Sequence, residues 1–131
     1  MFNLSTLTEA INNKKVISYE YDKKGKDNVV GKRIGQPFAV FDFISKSGER
    51  TTKVHIVQTG GVSNSKTESK LPSFRTYNLD DLRNIKVTNE FFLPPYHEDY
   101  NPNWDGYKKA KVKLKVEDPT KEIKNGFNKR H

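Results

Sequence analysis

Apolar residues recur at every second position in several short segments, and this pattern constrains the fold more than any other feature of the chain. The segment 51–59, TTKVHIVQT, is the clearest example, since Val54 and Ile56 alternate and the neighbouring residues are largely β-branched. A period of two places alternate side chains on opposite faces of an extended strand. Clusters of Gly, Pro, Ser and Asn separate these segments, so the sequence predicts a mainly β protein with short strands.

One segment near the amino terminus has a helical period instead. Thr6 and Glu9 match a capping box, which predicts the start of a short helix that ends near residue 13. Leu7, Ala10 and Ile11 would then form one apolar stripe for packing on a sheet. We therefore expect a small, strongly bent sheet or barrel of the SH3-like or Sm-like kind, with one short amino-terminal helix and an additional carboxyl-terminal strand. Closure would remove exposed strand edges in a chain too short for a sandwich.

The chain of 131 residues has the usual length of one domain and shows no internal repeat. We expect a single barrel domain over residues 1–116, which ends with a lysine-rich strand at 107–116. Residues 117–131 are predicted to be a basic tail that is flexible or ordered only by a partner. Residues 22–28 are predicted to form a hairpin loop, and residues 60–73 a long loop.

The absence of cysteine excludes disulfides, thiolate metal sites and cysteine nucleophiles. The longest apolar run, Phe38 to Phe41, is far shorter than the roughly 20 residues that a membrane-spanning helix needs. The first residues also lack the pattern of a secretory signal. We expect a soluble cytoplasmic protein without a membrane partner, in the host cytoplasm or the virion if a phage encodes it.

The net charge of +8 is concentrated at the carboxyl end. Residues 106–131 hold nine Lys and Arg against three Asp and Glu, which accounts for +6 of the total. Such a terminus attracts phosphate, anionic lipid or an acidic protein, and the charge alone does not choose between them.

The segment 107–116, YKKAKVKLKV, places a lysine at every second position. Alternate residues of a strand lie about 6.6–6.8 Å apart, close to the spacing of successive phosphates. Such a row of lysines would track a nucleic-acid backbone, with an affinity that falls as salt rises. An equally physical alternative is an exposed strand edge whose lysines prevent another strand from docking. The lysines concerned are Lys109, Lys111, Lys113 and Lys115.

Aromatic side chains near the lysines would strengthen a nucleic-acid function, because unpaired bases stack on exposed rings. Most aromatic residues of such a lean composition belong to the core. Trp104, which precedes the basic segment, is our preferred stacking residue. The other candidates are Tyr77, Tyr96, Tyr100 and Tyr107.

We find no pattern that indicates catalysis, a metal site or a cofactor, and we expect a protein that is not an enzyme. No nucleophile is paired with a base, and the carboxylates fall mainly in turns. His97, Glu98 and Asp99 could ligate a metal, but consecutive residues rarely converge on one ion, which favours a solvated loop. The segment 59–66, TGGVSNSK, has adjacent glycines followed by Lys66 and so weakly resembles a phosphate-binding loop. It lacks the Gly-Lys-Ser/Thr ending of a Walker motif, so a simple connecting loop is favoured.

The order of several segments resembles the WYL domain over roughly residues 7–92. These segments are ISYEY at 17–21, KRIGQPFAV at 32–40, VHIVQTGG at 54–61 and FRTYNLDDLRNI at 74–85. Among WYL proteins the chain is most similar to small stand-alone members of phage or Bacteroidetes type, in which a YNP…D element follows the barrel. That element corresponds here to Tyr100, Asn101, Pro102 and Asp105.

The resemblance implies an SH3-like or Sm-like barrel that binds nucleic acid or a nucleotide-type ligand and regulates another protein. The two arginines of the family's F-R-L-D-R-I segment are replaced here by Asn78 and Asp81. Arg33, Arg75 and Arg83 remain as candidate ligand-binding residues.

Two functions follow as hypotheses. The first is a non-catalytic, regulatory binding module that contacts nucleic acid or a nucleotide-type ligand through its arginines, the lysine row and Trp104. The second is a phage-type structural or interaction protein that docks on other protein subunits or on copies of itself.

Overall fold

The structure, a computed structural model, describes residues 2–23, 31–62 and 71–125. Most of the predicted hairpin loop at 22–28, much of the predicted loop at 60–73 with Lys66, and the last six residues of the predicted tail lie outside these ranges.

A six-stranded antiparallel sheet and an amino-terminal helix make up most of the described chain, which confirms the mainly β prediction. The strand order is β4-β3-β2-β1-β5, and β6 pairs with part of β2. No helix within the described ranges is long and apolar enough to cross a membrane. The elements are α1 (Phe2–Asn13), β1 (Lys15–Tyr21), β2 (Arg33–Ile44), β3 (Arg50–Gly61), β4 (Ser73–Asn78), β5 (Leu82–Phe91), β6 (Val112–Lys113) and α2 (Pro119–Glu122), with 3₁₀ turns at Leu79–Asp81 and Asp105–Tyr107.

The short link between β4 and β5 requires a strongly bent sheet. These strands lie at opposite ends of the strand order, yet only Leu79–Asp81 separates them. The edges of a flat five-stranded sheet would be about 19 Å apart, whereas the four steps from Asn78 to Leu82 span at most about 14 Å. The sheet therefore curls until its edges approach each other. In the described chain β4 and β5 do not pair, so the sheet is not closed into a barrel.

Tyrosine side chains connect β4, at one edge of the sheet, with β1, the strand next to the opposite edge. The hydroxyls of Tyr19 on β1 and Tyr77 on β4 are 2.9 Å apart. The ring of Tyr21 packs against Tyr77, with 4.8 Å between centroids. Side-chain packing thus joins strands that backbone hydrogen bonds leave apart.

Helix α1 starts earlier than the capping-box pattern predicts. It begins at Phe2, so Thr6 lies inside the helix and is not its N-cap. The earlier turn is stabilised because Leu4 extends the apolar stripe onto the core and the Asn3 amide donates to the Leu82 carbonyl at 3.2 Å. The predicted end near residue 13 is confirmed, as is the buried stripe of Leu7, Ala10 and Ile11.

The segment after β5 packs back onto the sheet through aromatic side chains, and we call residues 92–123 the carboxyl-terminal cover. Phe38 of β2 stacks on Phe92 and lies edge-on to Tyr96 and Tyr100. Ile123, which is 3% exposed, forms a β-bridge with Tyr96. Within the described part of the predicted tail, 117–125, Ile123 therefore packs on this chain's own core.

Two tyrosines of the cover provide a matched test of this packing. The buried Tyr100 hydroxyl donates to the Leu114 carbonyl at 2.6 Å, whereas the buried Tyr96 hydroxyl has no partner within the described residues. We expect Tyr100→Phe to lower the free energy of unfolding by about 1–2 kcal/mol, since it leaves a buried carbonyl with fewer partners. Tyr96→Phe is expected to be neutral or stabilising. Urea denaturation measures both, and equal destabilisation would contradict this account of the cover.

Candidate functional site

A cleft of about 540 Å³ lies where β2, β3 and β4 meet the carboxyl-terminal cover. This volume is typical of sites that accept a small molecule or one unit of a polymer. We call it the aromatic cleft because most of its large lining side chains are rings. Its lining residues are Phe41, Phe43, Lys53, His55, Phe74, Thr76, Asp99, Asn101, Trp104 and Tyr107.

The strand register explains why six of these residues share one face of the sheet. Phe41 pairs with Lys53, and His55 pairs with Thr76. Directly paired residues of antiparallel strands point to the same side, as do residues two positions apart on one strand. Phe43 and Phe74 join the same face by that second rule.

Trp104 forms the outer wall of the cleft. Its indole is edge-on to the rings of Phe41 and Tyr107, with centroids 5.4 and 5.1 Å away. The indole also lies directly over Gly106, where an added Cβ would be 2.2 Å from Cζ3 of the ring. Trp104 is nevertheless 43% exposed, so a ligand has access to it.

Solvent exposure distinguishes Trp104 from the four tyrosine candidates. Phe43, which sequence reasoning missed, is 49% exposed beside Trp104 in the cleft lining. The four tyrosine candidates are all buried and belong to the core, namely Tyr77, Tyr96, Tyr100 and Tyr107.

His55 and Tyr107 form the polar part of the cleft floor. The Nδ1 atom of His55 is 2.5 Å from the Tyr107 hydroxyl oxygen. Burial lowers the pKa of His55 to about 4 and raises the pKa of Tyr107. At neutral pH both groups are therefore uncharged, and the floor of the cleft carries no formal charge.

Charged side chains of both signs line the cleft around this floor, namely Lys53 and Asp99. The Lys53 ammonium donates to the Asn78 side-chain oxygen at 2.7 Å and lies 5.7 Å from the Phe43 ring centroid. Lys108 and Lys109 are exposed on the turn after Asp105–Tyr107. They border a neighbouring groove of about 390 Å³ that shares its apolar wall with the cleft, formed by Phe41, Phe43 and Trp104.

The predicted lysine-rich strand is mostly absent. Only Val112–Lys113 pairs as a strand, with β2, because the chain turns between Tyr107 and Ala110 before it reaches the sheet. Exposed lysines still alternate with more buried residues from 110 to 116, as the sequence predicts. Lys109 lies on the turn and so is not part of a strand.

The lysines also differ in their contacts. The Lys113 ammonium donates to the Pro102 carbonyl at 2.7 Å. The Lys111 ammonium lies 3.8 Å from the Asp42 carboxylate, and Lys115 is exposed. The predicted lysines therefore do not form one evenly spaced row along a strand.

The three predicted arginines lie away from the cleft. Arg33 is fully buried, and its guanidinium donates to Gln58 at 3.3 Å. Burial raises the pKa of Tyr19, and the charges of Arg33 and Arg75 partly oppose that shift. Arg83 donates to the backbone carbonyls of residues 80 and 82. None of the three arginines lines the cleft with Trp104 and Lys53.

The segment 97–99 forms local contacts. The Asp99 amide donates to Nδ1 of His97 at 3.1 Å, and Glu98 accepts a hydrogen bond from the Asn125 side chain. Among the residues that the structure describes, no group of three or more His, Cys, Asp or Glu side chains is placed to hold a metal ion.

The strand-borne half of the cleft had a signal in the sequence. In FAVFDF at 38–43 and TKVHIV at 52–57, large side chains occupy both alternating sets of positions, not only one. This pattern is typical of strands that are covered on both faces. The contribution of Asp99 and Asn101 had no such signal, since it depends on how the cover folds back.

Comparison with known proteins adds no family or neighbour to this description. No family model matches the chain, and neither the curated proteins nor the solved structures include a significant match.

The buried imidazole predicts a specific pH dependence of stability. Because its pKa is about 6.5 in the unfolded chain and about 4 in the fold, the unfolded chain binds a proton first as pH falls. The contribution of His55 to stability is complete above pH 6.5 and is lost between pH 6.5 and pH 4. We expect the wild type to lose roughly 2–3 kcal/mol more than His55→Phe between pH 7 and pH 4 in urea denaturation. If the free energy of unfolding fell equally with pH in the wild type and in His55→Phe, a neutral His55 in the fold would be excluded.

The contact between Gly106 and the indole predicts that Gly106→Ala displaces Trp104. The added methyl group cannot fit beneath the ring, so Trp104 should become more exposed while the core is retained. Trp104 is the single tryptophan of the chain. Its fluorescence emission should therefore shift to longer wavelength and be quenched more strongly by acrylamide, with an unchanged far-ultraviolet circular dichroism spectrum. Gly60→Ala is the control for changes at glycine, because an added Cβ there would make only ordinary van der Waals contact with Ile34.

Proposed function

We propose that this protein is a non-catalytic module that binds single-stranded nucleic acid or a nucleotide-type ligand, with one base in the aromatic cleft and phosphates on the surrounding lysines. The observation that carries the proposal is the exposed indole of Trp104 beside a cleft walled by Phe41, Phe43 and Phe74. The WYL resemblance adds the proposal that such binding regulates another protein.

Stacking favours a single strand over a duplex. The bases of a duplex are already stacked and paired, so they are not available to a cleft that is walled by rings. An unpaired base stacked on an aromatic side chain gains about 1–3 kcal/mol, with little dependence on sequence. Trp104 and Phe43 are the two large rings of the cleft with substantial exposure, which makes them the surfaces for such stacking.

The distribution of charge supports phosphate contacts near the same place. Lys108 and Lys109 are exposed beside Trp104. Lys111 and Arg50 each lie 3.8 Å from one oxygen of Asp42, so these two cations are held close together. One carboxylate cannot neutralise both of them. The lining of the groove also includes Asp42 and Asp105, so phosphates would meet Lys108 and Lys109 beside these carboxylates, with Lys111 and Arg50 close to Asp42.

This function predicts two separable effects of substitution. Trp104→Ala should weaken binding of a single-stranded oligonucleotide about tenfold or more at every salt concentration, since it removes a stacking surface. The double substitution Lys108→Gln and Lys109→Gln should weaken binding mainly at low salt and make the dependence on salt shallower by about one to two ions. Fluorescence anisotropy of a labelled oligonucleotide measures both.

Lys86→Gln is the matched control for loss of positive charge, because Lys86 is exposed on β5 and does not line the cleft. It should change affinity little. Equal losses from Lys86→Gln and the double substitution would indicate a nonspecific effect of net charge and would contradict the proposed contact surface.

A second function, docking on protein subunits, is favoured by exposed apolar side chains away from the cleft. Phe91 at the end of β5 and Leu93 just after it are 58% and 72% exposed. Exposed apolar groups beside an edge strand are typical of sites where another protein packs. If the wild type binds no single-stranded RNA or DNA at low salt, this second function becomes the preferred one.

A further inference from the structure

We propose that His55 donates a hydrogen bond from Nε2 into the aromatic cleft, so that the site selects a keto base (uracil, thymine or guanine) over an amino base (cytosine or adenine). This inference rests on the proposed function for the identity of the ligand. The geometry of His55, Tyr107 and the cleft walls carries the rest.

Tyr107 determines which nitrogen of His55 carries the proton. Its hydroxyl is 2.5 Å from Nδ1, so one of the two groups donates to the other. If Nδ1–H were the donor, the phenol proton of Tyr107 would need a second acceptor. The described residues supply none, and a buried hydroxyl without an acceptor is unfavourable. The phenol therefore donates to Nδ1.

A neutral imidazole that accepts at Nδ1 carries its proton at Nε2. Burial keeps the ring of His55 neutral at physiological pH, as its lowered pKa indicates. Nε2 makes no hydrogen bond to the described residues, and it is not among the fully buried polar atoms without a partner. Since His55 lines the cleft, Nε2–H remains accessible as a donor there.

The walls around His55 favour a planar ligand. The ring centroids of Phe41 and Phe74 lie 4.7 and 4.8 Å from that of His55, and Trp104 lies 5.9 Å away. These rings pack against the imidazole and make its surroundings flat and apolar, which suits a planar ligand that meets the exposed edge of His55. A hydrogen bond in such apolar surroundings is stronger than one in water, and a mismatched pair is correspondingly unfavourable.

The sugar and phosphate determine which edge of a base reaches His55. In the proposed binding mode the sugar and phosphate remain outside the aromatic cleft, near Lys108 and Lys109. The edge of the base farthest from the sugar then enters the cleft first. That edge carries a carbonyl oxygen in uracil, thymine and guanine, but an amino group in cytosine and adenine. The Nε2–H donor pairs with the carbonyl and opposes the amino group. A keto base is therefore the expected occupant.

The test compares octamers of deoxythymidylate and deoxycytidylate, with the wild type, His55→Phe and Trp104→Ala. The wild type should bind the thymidylate octamer about tenfold more tightly, as expected for one buried hydrogen bond gained or lost. His55→Phe keeps the ring but lacks the donor, so it should bind both octamers alike. Trp104→Ala should weaken both and retain the preference. Equal affinities in the wild type, or a preference that persists in His55→Phe, would overturn the inference and leave the proposed function intact.

A second measurement tests the tautomer without any nucleic acid. Multiple-bond ¹H–¹⁵N correlation spectra of the free protein should show the His55 proton on Nε2. Tyr107→Phe, which lacks the donating hydroxyl, should give a mixture of tautomers. A proton on Nδ1 in the wild type would overturn the inference whatever the octamers do. Failure of both octamers to bind would overturn the proposed function, and with it the choice of a keto base as the ligand.

Discussion

Strands β2 and β3 carry large apolar or aromatic side chains on both of their faces, and the rest of the structure follows from the need to keep both faces dry. Val40 and Val54 are fully buried on one side, while Phe41 and His55 are nearly buried on the other. A single bent sheet can enclose only its concave side. The chain therefore needs a second element, and residues 92–123 supply it by packing aromatic side chains over the sheet.

The aromatic cleft is the place where that cover is incomplete. Phe38, farther along β2, is fully buried beneath the cover, but Phe43 near the strand end is 49% exposed. Trp104 stands at the margin between these two regions, supported by Gly106 and Tyr107. The packing that stabilises the domain thus also creates an apolar recess that is open to solvent, and the basic turn at 108–109 lies beside it. Stability and the proposed binding function depend on one aromatic layer.

The sequence predicts a mainly β, strongly bent sheet with one amino-terminal helix, because periods of two and of 3.6 residues are local signals. The buried stripe of α1 is a case of this kind. The same reasoning fails for the lysine-rich segment 107–116, which has the alternating pattern of a strand. In the structure the chain turns at Tyr107, and only two residues of the segment pair with β2. The alternating pattern of a segment does not show how many residues of a neighbouring strand are free to pair with it.

The candidate site shows the same limit. Trp104 was predicted from its position beside basic residues, and its exposure fits that choice. The approach of His55 to Tyr107 joins residues 52 positions apart and could not be inferred from periodicity. Arg33 differs from Trp104: the WYL resemblance made it a candidate ligand-binding residue, yet it is fully buried, donates to Gln58 and lies over the Tyr21 ring.

The most direct test of the central claim, that the cleft beside Trp104 is the binding site, is a titration of its fluorescence with unlabelled single-stranded oligonucleotide at low salt. Because Trp104 is the single tryptophan, a change in the tryptophan fluorescence emission reports on this cleft alone. The account predicts saturable quenching with the same midpoint as binding measured by calorimetry. Binding by calorimetry without a change in Trp104 emission would contradict it, since the ligand would then lie elsewhere on the protein.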